Sequence, residues 1–173
     1  GQVFAQCSRG TLHCLDAKSG KIQWEIDYAK LGMKFVGEKG RVPGARRHGF
    51  TNAPLVVGGM VYATVGGKGH GVVCFNRTNG KVIWNALDYE PGYAPPVPAV
   101  LAGRQQFICF FADGVVGVDV RNGAELWKIP MKTDYGRHVA APLSHKDIVV
   151  AGSHQVGLQG IRVSRKGDKL SAA

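Results

Sequence analysis

The sequence feature that most constrains the fold is a phrase that occurs three times. It spans residues 10–24, 71–84 and 114–127, and a worn fourth copy, which lacks the final tryptophan, starts at Gly157. The glycines that open the four copies lie 61, 43 and 43 residues apart. Repetition at such a period indicates one supersecondary unit that is stacked several times, so any function has to be carried by an assembled surface.

Each copy of the phrase predicts a β-hairpin. In the first copy, alternating apolar residues such as Leu12 and Cys14 form a strand, and a polar turn that ends in Gly20 follows. Serine or asparagine before the glycine suits the positive φ that a tight hairpin turn demands. A second strand then leads to Trp24.

A second recurring segment supplies the other half of the unit. It opens with Pro54, Pro98 and Pro142, which lie 44 residues apart, and each proline is followed by an apolar run, a turn and another apolar run. Proline is tolerated at the start of a strand, where its missing N–H is least harmful, so the segment predicts two more strands. The unit is then four consecutive antiparallel strands, and no part of the sequence shows helical periodicity.

Four-stranded units of about 40–45 residues are typical of the blades of a β-propeller. We therefore predict an all-β fold, a single-domain partial propeller of about four blades. Blade 1 covers 1–27 and lacks its first strand, a basic insertion covers 28–50, and blades 2, 3 and 4 cover 51–86, 95–129 and 139–171.

The repeated phrase resembles the repeat of the PQQ-like β-propeller family, which reads roughly G-x-L-Y-A-L-D-A-x-T-G-K-x-x-W. That family contains quinoprotein dehydrogenases and the outer-membrane assembly lipoprotein of Gram-negative bacteria. The copies that start at Gly10 and Gly71 match almost throughout, and the copy at Gly114 matches well. The resemblance implies a ring of seven or eight blades in a bacterial protein of the periplasm or cell envelope. Either further blades or a second copy of this chain would complete such a ring.

The three tryptophans of the phrase, Trp24, Trp84 and Trp127, correspond to the docking tryptophans of this family. An indole at the same place in every blade is expected to pack on the next blade, with its N–H bonded to a backbone carbonyl. A stacking platform for a quinone is the alternative, and the repetition favours the structural interpretation.

Two other features have competing interpretations. Asp16, Asn76 and Asp119 precede equivalent turns, and we expect them to cap those turns rather than to gather round a metal ion. The glycine-rich stretch 66–71 looks like a loop that cradles phosphate, but no helix follows it. We interpret it as a connection between two strands.

The chain carries a net charge of +10, from 22 Lys and Arg against 12 Asp and Glu, and this invites an acidic partner. The charge is concentrated in the insertion, which has Lys30, Lys34, Lys39, Arg41, Arg46 and Arg47 against Glu38, with His48 following. Our hypothesis is that its three arginines and His48 bind an anion or an acidic protein segment. A solvated loop is the alternative.

The connections between successive blades suggest a second set of binding residues. Tyr93, Arg137 and His138 lie on connections equivalent to the insertion, on the face where enzymes of the family hold cofactor and substrate. Loops on a rigid scaffold commonly carry binding. We predict that these residues and His48 line one rim that contacts a protein or small-molecule ligand.

The sequence favours a binding scaffold over an enzyme. It has no G-x-S-x-G elbow and no adjacent cysteine pair like that of methanol-dehydrogenase-like enzymes. The calcium ligands and catalytic aspartate of that group match no position here, and we assign no catalytic or metal-binding residue. The alternative is a fragment of a quinoprotein dehydrogenase that oxidises an alcohol or sugar with PQQ and calcium.

Other partners and compartments leave weaker signals. There is no recognisable nucleic-acid-binding motif, no apolar run long enough to span a bilayer and no visible signal peptide. Binding of a polyanion through the basic excess stays an alternative. The cysteines have no zinc spacing, and a disulfide between Cys7 and Cys14, on neighbouring strands, is left open.

Overall fold

In a computed structural model of the chain, residues 1–33 and 49–173 are described, and they confirm the all-β partial propeller. The strands are β1 (Gln2–Cys7), β2 (Thr11–Asp16), β3 (Ile22–Asp27), β4 (Leu55–Val57), β5 (Met60–Ala63), β6 (Val72–Asn76), β7 (Val82–Ala86), β8 (Val97–Leu101), β9 (Arg104–Phe111), β10 (Gly114–Asp119), β11 (Glu125–Pro130), β12 (Leu143–His145), β13 (Ile148–Ser153), β14 (Gly157–Lys166) and β15 (Lys169–Ala172). A single-turn 3₁₀ helix, Tyr28–Leu31, follows β3 and is too short to leave a periodic signal in the sequence. Among the described residues, no helix has the length and apolarity needed to cross a membrane.

The strands form four separate sheets in which sequence neighbours are always spatial neighbours. Sheet I has three strands (β1–β3), and sheets II (β4–β7), III (β8–β11) and IV (β12–β15) have four each. All the pairs within the sheets are antiparallel, as short hairpin connections require. Each sheet is therefore a local product of its own stretch of sequence.

The hydrophobic core lies between consecutive sheets. One cluster joins sheets I and II and contains Leu12, Tyr28, Met33, Phe50, Val61, Ala63, Val65, Val73 and Phe75. A second joins sheets II and III and contains Tyr62, Val72, Cys74, Phe107, Cys109, Phe111, Val116 and Val118. A third joins sheets III and IV and contains Leu101, Ile108, Phe110, Val115, Trp127, Val149, Ala151, Ile161 and Val163, among others.

The register of sheet I repeats in the next two sheets. Cys14 on β2 lies between Phe4 on β1 and Trp24 on β3. The equivalent residues of sheet II are Tyr62, Cys74 and Trp84, and those of sheet III are Ile108, Gly117 and Trp127. Differences between the three tryptophans can therefore be traced to the residues beside them.

The indole of Trp24 reaches the neighbouring sheet. Its Nε1 donates to the carbonyl oxygen of Arg77, in the β6–β7 turn, at 3.0 Å. The ring also lies against Gly80 of the same turn, where an added Cβ would come within 3.0 Å of it. The absent side chain at Gly80 thus leaves the space that this contact occupies.

Trp84 lies against the next turn in the same way but uses a different hydrogen-bonding arrangement. Its ring is close to Gly123, yet its buried Nε1 has no partner among the described residues. The carbonyl of Val120, which is equivalent to that of Arg77, accepts instead from the hydroxyl of Tyr62 at 3.3 Å. The equivalent residue in sheet I is Phe4, which has no hydroxyl to compete for the carbonyl.

Trp127 is bonded within its own sheet. Its Nε1 donates to Oε1 of Gln106 at 2.6 Å, whereas the sequence predicted a backbone carbonyl as the acceptor. The reason is Gly117, because a Cβ at that position would lie only 2.1 Å from Nε1 of the indole. The absent side chain lets the ring settle over its own strand.

The disulfide left open by the sequence does not form. The register pairs Cys7 with Thr11 and Cys14 with Phe4, so the two cysteines lie three positions apart on opposite faces of sheet I. Cys7 is exposed, Cys14 is buried, and all four cysteines are free thiols. Burial raises the pKa of the Cys74 thiol to about 11, which favours the unreactive protonated form.

These contacts predict unequal effects of one substitution at two equivalent tryptophans. Trp24→Phe removes a hydrogen bond and Trp84→Phe does not, so Trp24→Phe should lower the free energy of unfolding by about 1 kcal/mol more. In a Tyr62→Phe background, the Val120 carbonyl becomes available to Trp84, and the difference should shrink. Urea unfolding followed by circular dichroism measures this, and equal losses at both positions in the parent protein would contradict the assignment.

Candidate functional site

The stack of sheets has two ends of different character. The crossover end carries the connections from one sheet to the next and the β1–β2, β5–β6, β9–β10 and β13–β14 loops. The hairpin end carries the tight turns within the other strand pairs. Tyr93, Arg137 and His138 all lie on the crossover end, while Arg41, Arg46, Arg47 and His48 fall outside the described residues.

His138 holds two connections together instead of facing solvent. Its side chain is fully buried, its ring stacks on Phe110 with centroids 4.0 Å apart, and its Nε2 lies 3.2 Å from the carbonyl oxygen of Ala112. Its own carbonyl accepts from the N–H groups of Tyr93 and Ala94, both at 2.8 Å. Burial lowers the pKa of His138, which favours the neutral ring.

The solvent-facing part of this rim is built around an aromatic–arginine pair. The Arg137 guanidinium lies 4.8 Å from the ring centroid of Tyr135, which is 52% exposed. Tyr93 and Arg137 are half-buried. The sequence did not lead us to predict Tyr135 as a site residue, although it lies two residues before Arg137 in the same connection.

A chain of polar side chains stiffens the other half of the crossover end. The hydroxyl of Tyr28 donates to Oε1 of Gln6 at 2.6 Å, and Nε2 of Gln6 donates to Oδ1 of Asn52 at 2.7 Å. The buried Asn52 in turn donates to the hydroxyl of Thr64 and to the carbonyl of Gly92. Because these residues come from β1, the β5–β6 loop and two connections, the polar chain ties the described parts of those connections to sheet I and to that loop.

The glycine-rich stretch 66–71 is a closed strand connection between β5 and β6. Gly66 N–H donates to the carbonyl of His70 at 2.6 Å, and Asn85 Nδ2 donates to the carbonyl of Gly69 at 2.7 Å. The Gly69 N–H donates to Oδ1 of Asp88 at 2.6 Å. A carboxylate of the chain itself therefore takes the place that a phosphate oxygen would need.

The three turn residues singled out in the sequence cap their turns. Oδ1 of Asp16 accepts from the N–H groups two and three residues on at 3.1 and 2.8 Å, and Oδ1 of Asn76 does the same at 2.9 and 3.2 Å. Oδ1 of Asp119 accepts from the N–H two residues on at 2.9 Å. This is the Asx-turn pattern, which a local sequence signal can specify.

Asp119 also anchors two arginines. Its buried carboxylate accepts from Nη2 of Arg104 at 2.6 Å and from Nε and Nη2 of Arg121 at 3.0 and 2.8 Å. The hydrogen bonds from Arg121 hold the pKa of Asp119 well below its usual range. Two guanidinium groups are thereby fixed at the hairpin end beside one carboxylate.

The described residues carry their positive excess at the hairpin end, a feature that the sequence analysis missed. Counting these turns and two residues on either side, ten cations (Lys18, Lys21, Arg77, Lys81, Arg104, Arg121, Lys146, Arg165, Lys166, Lys169) stand against five anions (Asp16, Asp119, Glu125, Asp147, Asp168). At the described part of the crossover end, five cations (Arg9, Lys30, Lys68, Lys132, Arg137) balance five anions (Asp27, Asp88, Glu90, Asp113, Asp134). The signal in the sequence was a basic residue in or beside the turn within each copy of the phrase.

The described part of the chain has no cluster of the side chains that most often hold a metal ion. Across residues 1–33 and 49–173, no three histidine, cysteine or acidic side chains come together as metal ligands would. Calcium prefers six to eight oxygen ligands, most of them carboxylates and carbonyls. The described residues therefore offer such an ion no group of three carboxylate side chains.

Comparisons with known proteins agree on the family and the fold. The sequence model of the family described as outer membrane protein assembly factor BamB matches residues 1–172. BamB from Moraxella catarrhalis has a similar structure, with 18% identity, a TM-score of 0.63 and coverage of 92% of this chain and 46% of its own. The chain thus spans about half the length of that relative. A comparison with curated proteins finds no match.

Two other solved structures share the fold at low identity. Quinohemoprotein alcohol dehydrogenase from Comamonas testosteroni is 19% identical, with a TM-score of 0.52 and coverage of 75% of this chain and 19% of its own. The computationally designed Ika4 protein is 16% identical, with a TM-score of 0.53 and coverage of 92% of this chain and 83% of its own. At these identities the likeness concerns the fold alone.

The buried His138 predicts a pH dependence of stability. Its folded pKa is below the unfolded value near 6.5, so the unfolded chain binds the proton first, and stability should fall as pH drops below about 6.5. We expect His138→Gln to flatten the dependence of the urea unfolding midpoint on pH between about pH 7 and pH 5, because glutamine takes up no proton in this range. His145, which is exposed on β12 and is not among the groups that shift the pKa of His138, gives the matched control, since His145→Gln should keep the parent slope. An unchanged slope in His138→Gln would contradict this account.

Proposed function

The chain belongs to the family of the outer membrane protein assembly factor BamB, and we propose that it is a non-catalytic propeller scaffold that binds a protein partner in the bacterial cell envelope. The observation that carries the proposal is the match of the family model over residues 1–172. An assembly factor acts by contact with other proteins, so the site to look for is a rigid surface rather than a catalytic cluster.

The crossover end supports this proposal by its construction. The described parts of its connections are held by main-chain bonds to His138 and by the polar chain through Asn52, so they lose little ordering entropy on binding. Tyr135 and Arg137 present an aromatic ring and a guanidinium, the side chains most often found in binding hot spots. We propose that these two residues and Tyr93 contact the partner.

The basic insertion extends the proposed surface. Residues 34–48 lie in the connection between sheets I and II and carry five Lys and Arg against one Glu. We propose that Arg41, Arg46, Arg47 and His48 contact an acidic segment of the partner, because guanidinium groups bind carboxylates in a bidentate manner.

The outer faces of sheets I and IV carry exposed apolar residues. Leu143 and Leu158 on sheet IV and Ile22 on sheet I are between 57% and 78% exposed. Apolar residues on a sheet face of a repeat protein are normally covered by a neighbouring repeat. We propose that further blades or a second copy of this chain cover them. For residues 1–173 alone, light scattering should give a molar mass above that of one chain, and Leu158→Asp should change the solubility. A monomeric protein whose solubility is unaffected by Leu158→Asp would contradict the proposal.

Site-specific photocrosslinking tests the proposed scaffold role. A photoreactive amino acid in place of Tyr135 in the full-length protein should form crosslinks to envelope proteins of the outer membrane assembly machinery in living cells. The same label in place of Val82, an exposed strand residue, should give few. Crosslinks of equal yield at both positions would contradict the proposed surface.

A separate assay decides between the scaffold and the dehydrogenase alternative. The full-length protein is incubated with PQQ, Ca²⁺, an alcohol or sugar and a redox dye. The scaffold predicts no dye reduction above that of the heat-denatured protein. Substrate-dependent dye reduction would overturn the non-catalytic proposal.

A further inference from the structure

Two clefts of different character share a wall at the hairpin end. The first, about 540 Å³, lies between sheets II and III and is lined mainly by apolar residues, including Leu55, Val57, Met60, Val100 and Phe107. The second, about 530 Å³, extends from sheet III to sheet IV and contains Arg104, Arg121 and Arg165. Gln105, Val120 and Arg121 line both clefts. The two therefore form one continuous surface, which we call the hairpin-end groove.

The apolar part of the groove leaves large side chains open to water. Val100 on β8 is 62% exposed and Val57 on β4 is 46% exposed. Both strands are at the edge of their sheets, so no strand of the same sheet lies beyond them. Contiguous exposed apolar residues beside a polar rim are typical of an interaction surface.

The basic part holds more positive charge than its own carboxylates neutralise. Arg104 and Arg121 share the single carboxylate of Asp119, at 2.6 and 2.8 Å. Arg165 lies 3.3 Å from the fully exposed Asp168. Three guanidinium groups thus face two carboxylates, and one of those two is a solvent-screened partner of little strength.

The guanidinium groups of this part also keep donors for a ligand. Arg121 uses Nε and Nη2 on Asp119, and Arg165 uses Nε and Nη2 on its own turn. Within the described part of the chain, no hydrogen bond uses Nη1 of either residue. A guanidinium has five N–H donors, so both arginines retain capacity for incoming carboxylates.

We propose that the hairpin-end groove binds an extended, unstructured segment of a partner protein in which apolar side chains are followed by acidic ones. The apolar side chains occupy the cleft beside Val57 and Val100, and the carboxylates bind Arg121 and Arg165. The groove lies at the opposite end of the sheets from Tyr93, Tyr135 and Arg137. The proposal for the groove can therefore be tested independently of the proposed function.

A peptide fits this groove better than a fatty acid does. Two exposed arginines on different sheets, Arg121 and Arg165, match two spaced carboxylates, whereas a fatty acid offers one. The Gln105 carboxamide lies on the border of the two clefts and has no hydrogen bond to another described residue. An amide is matched by the N–H and C=O of a peptide bond, and an acyl chain offers neither.

Fluorescence anisotropy with a labelled peptide tests the proposal. The probe is a peptide of three leucines followed by three glutamates on a glycine–serine frame, and a second peptide has serine in place of every leucine. We expect saturable binding of the leucine peptide to the full chain and binding of the serine peptide that is roughly tenfold weaker. Raising the NaCl concentration from about 50 to about 500 mM should lower the affinity for the leucine peptide by a similar factor.

Matched variants locate the site. Arg165→Glu and Val100→Asp should each lower the affinity for the leucine peptide about tenfold. Lys18→Glu on sheet I and Val82→Asp on β7, at the other edge of sheet II from β4, make matching changes of charge away from the groove and should leave its affinity within about twofold. Circular dichroism shows whether each variant is folded. The salt series on the parent protein tests the role of charge without any substitution.

Several outcomes would overturn the proposal. These are no binding of the leucine peptide, equal binding of the leucine and serine peptides, or equal effects of Arg165→Glu and Lys18→Glu. Dodecanoate that binds where the peptide does not would also overturn it, and would indicate a site for small amphiphiles. None of these results depends on the crosslinks expected at Tyr135, so each proposal can fail alone.

Discussion

The burial of both faces of sheets II and III is the constraint on which the rest of the structure depends. Within β6, Val73 and Phe75 contribute to the core shared with sheet I, and Val72 and Cys74 contribute to the core shared with sheet III. A single sheet of four short strands buries little apolar surface by itself, so each sheet is stabilised by packing on the sheet or sheets beside it. The loops at the two ends are then displayed on a rigid body and can vary without disturbing it.

The indoles show how this constraint tolerates local variation. Trp24 and Trp84 both lie against a glycine of the next sheet, because the glycine leaves room for the ring. A single hydroxyl, present in Tyr62 and absent in Phe4, decides which side chain bonds the turn carbonyl. Packing of the ring is thus kept while the hydrogen bond changes, as expected when apolar contact carries more of the free energy than one bond does.

The parts of the fold that the sequence predicted are those specified over short distances. The strands follow from alternation, and the caps at Asp16, Asn76 and Asp119 follow from a side chain that bonds its own turn. The disulfide between Cys7 and Cys14 could not be judged without the register, which places the two cysteines on opposite faces. Register depends on turn geometry and on the partner strand, neither of which the cysteine spacing reveals.

The candidate sites were harder to predict because they combine residues from different sheets. His138 reads as a rim residue in sequence, and only the packing of Phe110 and Ala112 shows that it is buried. The hairpin-end groove brings Val57 together with Val100 and Arg121 with Arg165, pairs more than 40 residues apart. The basic insertion was visible because its charges are adjacent along the chain, whereas the hairpin-end excess is spread over six turns.

Native-state hydrogen exchange, read residue by residue, tests the central claim most directly. If stability comes from burial between sheets, then in the monomeric chain the amides of β6, β9 and β10 should exchange only through global unfolding, and those of β1 and β15 should exchange much faster. Slow exchange in β1 and β15 that equals that of β9 and β10 would contradict the account, because it would mean that each sheet is stable without a neighbour on both faces.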